Sequence, residues 1–234
     1  MSTYVMGDIH GIYYAFNNML RNIKFSENDT LYIIGDVVDR GPEPIKTLQR
    51  VMKTPNIKML LGNHEDMMQK YYEELDEYDK YLWYNNGGMV TQQQFERLSA
   101  DEKCAILEYI RALPLKEEIT IGKQKYILAH ASPFGTTKDE LIWERIYPYQ
   151  MTPPGDEIYI CGHTPVIRYS RRKSHIAEIK KSADERTWFI DCGCAYGDDK
   201  RARLACVRLE DGKVFYCHTY PRKHYERKEI YENY

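Results

Sequence analysis

An α/β fold is what this sequence predicts, and three observations predict it. Apolar runs at Tyr4-Val5-Met6, Leu31-Tyr32-Ile33-Ile34 and Ile57-Lys58-Met59-Leu60-Leu61 are short enough to be buried strands. Residues at helical spacing follow each run, as crossover connections between parallel strands require. Each run also meets a glycine (Gly7, Gly35 or Gly62) and then a polar side chain (Asp8, Asp36 or Asn63). Open α/β sheets bind ligands just beyond the carboxyl ends of their strands, where these side chains would gather.

Taken in order, the chain bears this out element by element. After the first strand comes Gly7-Asp8-Ile9-His10-Gly11, in which Asp8 and His10, two apart on an extended chain, point the same way. Tyr13, Phe16, Asn17, Leu20 and Ile23 then repeat at helical spacing, to about Lys24. A second helix is predicted from about Pro44 to Met52, with Ile45, Leu48 and Val51 on one face. Residues 65–80 read as one helix. After Gly87-Gly88, segments 89–98 and 101–112 read as two more, the last capped around Ser99. Lys116–Ile121 and Lys125–Ala129 flank Gly122-Lys123 as a hairpin. A short helix is predicted over 138–146, a proline-rich loop over 147–155 and a strand at Ile158–Cys161. The carboxy-terminal third is strand-like at His175–Ile179, Thr187–Ile190, Arg203–Leu209 and Lys213–Thr219, with Asp211-Gly212 joining the last two.

The whole chain bounds the function. Its 234 residues suit one domain over 1–219 with a helical insert near 64–112 and a polar tail over 220–234. A formal charge of −2, from 33 basic and 35 acidic side chains, gives no general attraction to nucleic acid or anionic membranes. No run approaches the ~18 apolar residues that span a bilayer. The amino terminus lacks the layout of a signal peptide, and the six cysteines include no Cys-x-x-Cys pair, so a reduced, cytoplasmic protein is expected. Cys192-x-Cys194 reads as a small-residue turn, since two thiolates make an incomplete metal site. Oligomeric state is not readable.

The chemistry lies in a recurrence. The three strand ends above are joined by Ile127-Leu128-Ala129 before His130 and Ile160-Cys161-Gly162 before His163. Any one such Asp or His is more often a satisfied structural residue than a ligand. Together, Asp8, His10, Asp36, Asn63, His130 and His163 are oxygen and imidazole donors suited to two adjacent divalent cations of Mn, Fe or Zn type. His175, His218 and His224 lack that setting. The loop Gly35-Asp36-Val37-Val38-Asp39-Arg40-Gly41-Pro42 adds a second carboxylate and a guanidinium able to grip phosphate through paired hydrogen bonds.

Gly7-Asp8-Ile9-His10-Gly11, Gly35–Gly41, Gly62-Asn63-His64-Glu65, His130 and Gly162-His163 resemble, in order, the signature set of the phosphoprotein phosphatase family. The closest type is the bacterial and phage serine/threonine phosphatases within the calcineurin-like metallophosphoesterases. The resemblance implies a sandwich of two central β-sheets flanked by helices. It implies that Asp8 and His10 hold one metal, Asn63, His130 and His163 the other, and Asp36 both. A hydroxide between the ions would attack phosphorus in line, without a covalent phosphoenzyme. Arg40 would bind phosphate, with Arg145 in Trp143-Glu144-Arg145 as a second phosphate-binding arginine. His64 would be the general acid and Asp39 its orienting partner.

The implied substrates are phosphorylated proteins. Dinucleoside polyphosphates such as diadenosine tetraphosphate form an alternative, and a non-catalytic metal- or phosphate-binding protein a distant third. Asn86-Gly87-Gly88 also recurs in the bacterial relatives, but turn formation explains those glycines. Cys192 and Asp198-Asp199-Lys200 depart from the family pattern in a loop that borders the site. Cys161 and Cys192 near the metals would make activity oxidation-sensitive.

Overall fold

The computed structural model describes residues 1–169, 176–197 and 199–220. Two five-stranded sheets form its centre. In the first, β1 (Thr3–Met6), β2 (Thr30–Ile33) and β3 (Ile57–Met59) are parallel, and β9 (Arg203–Arg208) and β10 (Val214–His218) extend it antiparallel from the β1 edge. In the second, β5 (Gln124–Ala129), β6 (Ile158–Cys161) and β8 (Thr187–Phe189) are parallel. The antiparallel strands β4 (Lys116–Ile121) and β7 (Lys180–Lys181) close its edges.

Alternation along the strands explains how the sheets stack. In β1, Val5 faces an apolar layer shared with Ile34, Leu60, Leu128, Ile160, Trp188 and Ile190, drawn from both sheets. Tyr4 and Met6 point the other way, into a core built with helices α1 (Tyr13–Asn22) and α2 (Pro44–Met52). A period of two thus places one face of each sheet against the other and leaves the outer face of the first for helices. The two parallel trios bring six strand ends toward one edge. Three backbone-directed bonds lock that edge: Gly162 N to His130 O at 2.8 Å, His130 Nδ1 to Ile34 O at 2.8 Å and His163 N to Asp8 Oδ2 at 3.0 Å.

Four helices lie between β3 and β4: α3 (Asn63–Glu74), α4 (Glu77–Asn85), α5 (Met89–Phe95) and α6 (Ala100–Arg111). The single helix expected over 65–80 is divided at Leu75, which adopts φ +51°. Glu73, Glu74, Asp76 and Glu77 would repel one another along a continuous helix. The break folds α4 back so that Trp83 packs 5.3 Å from the Tyr71 ring and 5.9 Å from the Tyr72 ring. Ser99 caps α6 as expected, accepting from Glu102 N.

The strand expected over 175–179 is not found among the described residues; His175 lies outside them. Ladder pairing occurs instead at β7, while Ala177 N bonds Arg201 O and Ile179 N bonds the Tyr216 hydroxyl. Short helix α7 (Lys138–Trp143) ends before the expected 146. Of the tail, residues 221–234 lie outside the described residues, as does His224.

Candidate dinuclear metal site

The loops that carry the candidate ligands are built on unusual backbone. Of the eight non-glycine residues with positive φ among the described residues, five are His10, Asp36, Asp39, Arg40 and His163. Such conformations cost energy and persist only where the surroundings over-determine them. Here Ile9 N and His10 N both donate to Asp36 O, Gly11 N to Val37 O and Gly41 N to His10 O. Glu65 completes the frame. Its buried carboxylate accepts from the backbone N–H of Asp36, Val37, Val38 and Gly62, so α3 carries the whole 35–38 loop on one side chain. Asp8 and His10 are therefore not two residues of one extended strand; the turn at His10 (φ +48°) sets their directions.

On one side of Asp36, three acceptors converge. His130 donates from Nδ1 to Ile34 O, which leaves the Nε2 lone pair facing Asn63 Oδ1 at 2.9 Å and Asp36 Oδ1 at 3.4 Å. His163 Nδ1 lies 3.0 Å from the same Asn63 oxygen, and its Nε2 is buried without a hydrogen-bond partner. His130 Nε2, Asn63 Oδ1 and Asp36 Oδ1 are acceptors facing one another with no proton among them to share, so a cation is what fits between them.

On the other side, His10 donates from Nδ1 to Val38 O and turns Nε2 to within 3.5 Å of Asp36 Oδ2. Asp8 lies beside Gly162, where a Cβ would stand 2.1 Å from its Oδ1; that oxygen is buried with no hydrogen-bond partner. The tight triads by distance are Asp36–His130–His163 and His10–Asp36–His64, so the second contains His64 in the place expected for Asp8. His64 is otherwise engaged. Its Nδ1 donates to Asp39 Oδ2 at 2.6 Å and its Nε2 accepts from Arg40 Nη2 at 2.9 Å.

The electrostatics separate the four imidazoles. Burial pushes His10 and His130 down and takes His163 down to about 3, which keeps them neutral, as ligands must be. For His64 burial also disfavours the charge, but Asp36 and the hydrogen bond His64 donates to Asp39 outweigh it and raise its pKa above the ordinary value. Asp36 is depressed despite burial, because His130, His64 and His10 surround it. Asp8 is pushed well up by burial, Asp191 and Asp36.

A profile described as calcineurin-like phosphoesterase matches residues 1–218. The chain belongs to the calcineurin-like phosphoesterase family. Among its curated relatives is serine/threonine-protein phosphatase 2 of Salmonella typhimurium, 35% identical over 179 residues, 68% of this chain and 78% of that protein. A symmetrical bis(5′-nucleosyl)-tetraphosphatase of Wigglesworthia glossinidia brevipalpis is 35% identical over 133 residues, which are 55% of this chain but 43% of that protein. A solved protein serine/threonine phosphatase from Saccharomyces cerevisiae shares the fold with a TM-score of 0.61 at 16% identity, covering 95% of this chain and 82% of its own. As a calcineurin-like phosphoesterase the chain is a metal-dependent hydrolase, and the unpartnered Asp8 Oδ1 and the facing acceptors Asn63 Oδ1 and His130 Nε2 fit divalent ions.

Within this calcineurin-like site, Arg40 is exposed and lays its guanidinium against His10 Nε2 at 3.0 Å and His64 Nε2. Arg145, also exposed, donates to Thr164 Oγ1 at 3.2 Å, and its charge reaches His163 and Asp191. Asn86 O and Gly87 O accept from Arg40 Nε and N, and a Cβ on Gly87 would stand 2.8 Å from Arg40 Cγ. Close approach to Arg40, rather than turn formation alone, accounts for that glycine.

The sequence places Asp191, the sixth strand end, at the head of Asp191-Cys192-Gly193-Cys194-Ala195-Tyr196-Gly197, which resembles a strand-and-loop element of the bacterial phosphatases, but gives it no role in the site. Asp191 follows Trp188-Phe189-Ile190, is buried, and is raised to about 6 by that burial. The repeated pattern does reach it, but no small residue stands before it. Trp83 and Thr91, whose indole N–H and hydroxyl both donate to Asp39, were also missed, and nothing in their local sequence marks them. Cys161 and Cys192 are buried, and burial followed by the nearby Asp8 and Asp191 raises their thiols. Such thiols form little of the reactive thiolate, which weighs against oxidation sensitivity. Asp198, part of the departing loop, lies outside the described residues.

Proposed function

We propose that this chain is a phosphomonoesterase that removes phosphate from phosphoserine and phosphothreonine in proteins. The observation that carries the reading is the Asp39–His64 pair, 2.6 Å apart and buried, set beside the Asn63–His130–His163 cluster with Arg40 on its open side. In this reading Asp8, His10 and Asp36 hold one divalent ion, and Asp36, Asn63, His130 and His163 the other, with manganese the first to try. When bound, the two ions supply Lewis-acid charge and an activated water.

The remaining work falls to side chains. Arg40 leaves His10 and His64 and binds two phosphate oxygens in fork geometry, aided by Arg145. That frees His64 Nε2 to face the leaving oxygen, and a serine alkoxide, a poor leaving group, needs its proton. Asp39 keeps the other ring nitrogen protonated and the ring turned toward the substrate.

The longer match to a protein phosphatase favours this substrate class, while the tetraphosphatase relative supports dinucleoside polyphosphates as the second reading. Assay of the manganese-loaded protein on a phosphoserine peptide and on diadenosine tetraphosphate, side by side, decides between them. Faster turnover of the peptide is expected; preference for the dinucleotide reverses the order. Activity on an aryl phosphate that chelator abolishes and manganese restores is expected in either case, and an inert metal-loaded protein leaves only a binding role. The six free cysteines support a reducing, cytoplasmic setting.

A further inference from the structure

Asp39 is wholly buried, and every one of its side-chain contacts comes from outside its own loop. Besides His64, Oδ2 accepts from the Trp83 indole Nε1 at 2.9 Å, and Oδ1 accepts from the Thr91 hydroxyl at 2.5 Å. The Thr91 oxygen in turn accepts from Asp39 N at 2.9 Å. Because an ionised carboxylate only accepts, the hydroxyl's single proton is the one that lies between Oγ1 and Oδ1. The Trp83 ring is held as firmly. It is fully buried against Tyr71 and Tyr72, and any Cβ on Gly88 would come within 2.4 Å of it.

Trp83 lies on α4 and Thr91 on α5, and the two residues between those helices that matter most, Asn86 and Gly87, grip Arg40 through their carbonyls. One stretch of nine residues, 83–91, therefore fixes both oxygens of Asp39 and the backbone and Nε of Arg40. A carboxylate bonded only to His64 could rotate about its χ2 and carry the imidazole with it. With Trp83 and Thr91 in place, neither oxygen can move without breaking a buried hydrogen bond.

We propose that Trp83 and Thr91 are positioning residues for proton delivery by His64, which makes the α4–α5 segment the second half of the active site. This rests on the reading of His64 as the acid. Two substrates separate it from a purely structural role. An aryl phosphate leaves without help, whereas a phosphoserine peptide needs the proton.

Thr91→Val keeps the volume and removes the hydroxyl; Thr91→Ser keeps the hydroxyl. Thr91→Val is expected to lower kcat on the peptide about 10-fold, as small misplacements of reacting groups do, with kcat on the aryl phosphate and both KM values near wild type. Thr91→Ser should restore most of the loss, and Trp83→Phe should behave like Thr91→Val. In an Asp39→Asn background, Thr91→Val should add little, because both act through the same carboxylate. In the metal-free protein, the downfield His64 Nδ1 proton resonance should shift or broaden in Thr91→Val and return in Thr91→Ser. Equal loss on both substrates, or an unchanged His64 resonance and unchanged peptide turnover while Asp39→Asn is slow, overturns the proposal. If Asp39→Asn itself turns over the peptide at the wild-type rate, the acid assignment fails and the proposal with it.

Discussion

The two halves of the site are held in different ways. The Asn63–His130–His163 side hangs on strand ends, with the His130 ring oriented by Ile34 O and the backbone of His163 tied to Asp8 Oδ2. The His64–Asp39–Arg40 side hangs on side chains and carbonyls of the helical segment, 44 to 52 residues from Asp39 along the chain. The electrostatics follow the same division: burial pushes His130 and His163 down toward neutrality, and among the four site imidazoles His64 alone is shifted upward. Backbone-built geometry suits groups that stay still around ions. Side-chain-built geometry suits a group that must present and give up a proton.

Substitutions can break this contrast. The largest effect is expected from Asp36→Asn, the residue common to both triads. It should weaken metal binding by more than about 100-fold and turnover by on the order of 10³, both read from metal titration and peptide kinetics. His64→Asn should keep the metals and lower kcat about 10²- to 10⁴-fold on the phosphoserine peptide, with a much smaller loss on an aryl phosphate.

Asp39→Asn should be milder, about 10- to 100-fold, and its pH profile carries a sign. A general acid works only while protonated, so activity falls on the alkaline side as His64 loses its proton. Asp39 helps raise His64, so its removal should move that alkaline limb to lower pH. A limb that stays in place or moves upward contradicts the pairing.

Glu65→Gln tests the frame rather than the chemistry. Its amide nitrogen would face backbone N–H groups that now meet a carboxylate, and a stability loss of about 1–3 kcal/mol is expected in thermal melts. Arg145→Ala should have the smallest effect, raising KM only about 2- to 5-fold, because the side chain is exposed and screened.

The same contrast explains what could be read from the sequence. The strand-end candidate ligands are local signals: an apolar run, a small residue and a donor, repeated until chance is a poor explanation. All six metal-binding candidates lie at one edge for that reason, and the helices and hairpin that deliver them were visible as hydrophobic periodicity. Asp191 received no role because Ile190, rather than a small residue, stands before the carboxylate. Trp83 and Thr91 escaped for a deeper reason. An indole on one helix and a threonine on the next look like ordinary core residues until the fold places them on Asp39. The break at Leu75 was likewise hidden, since helical propensity carries across it and only the packing of Trp83 on Tyr71 and Tyr72 reveals why the chain turns.

Metal content of purified His64→Asn, measured together with its turnover of a phosphoserine peptide, tests the division of labour most directly. Two ions per chain with a kcat reduced about 100-fold or more is the result expected if Asp8, rather than His64, completes the first ion's ligands. Loss of one ion from His64→Asn would place His64 among the ligands and contradict its assignment as the acid.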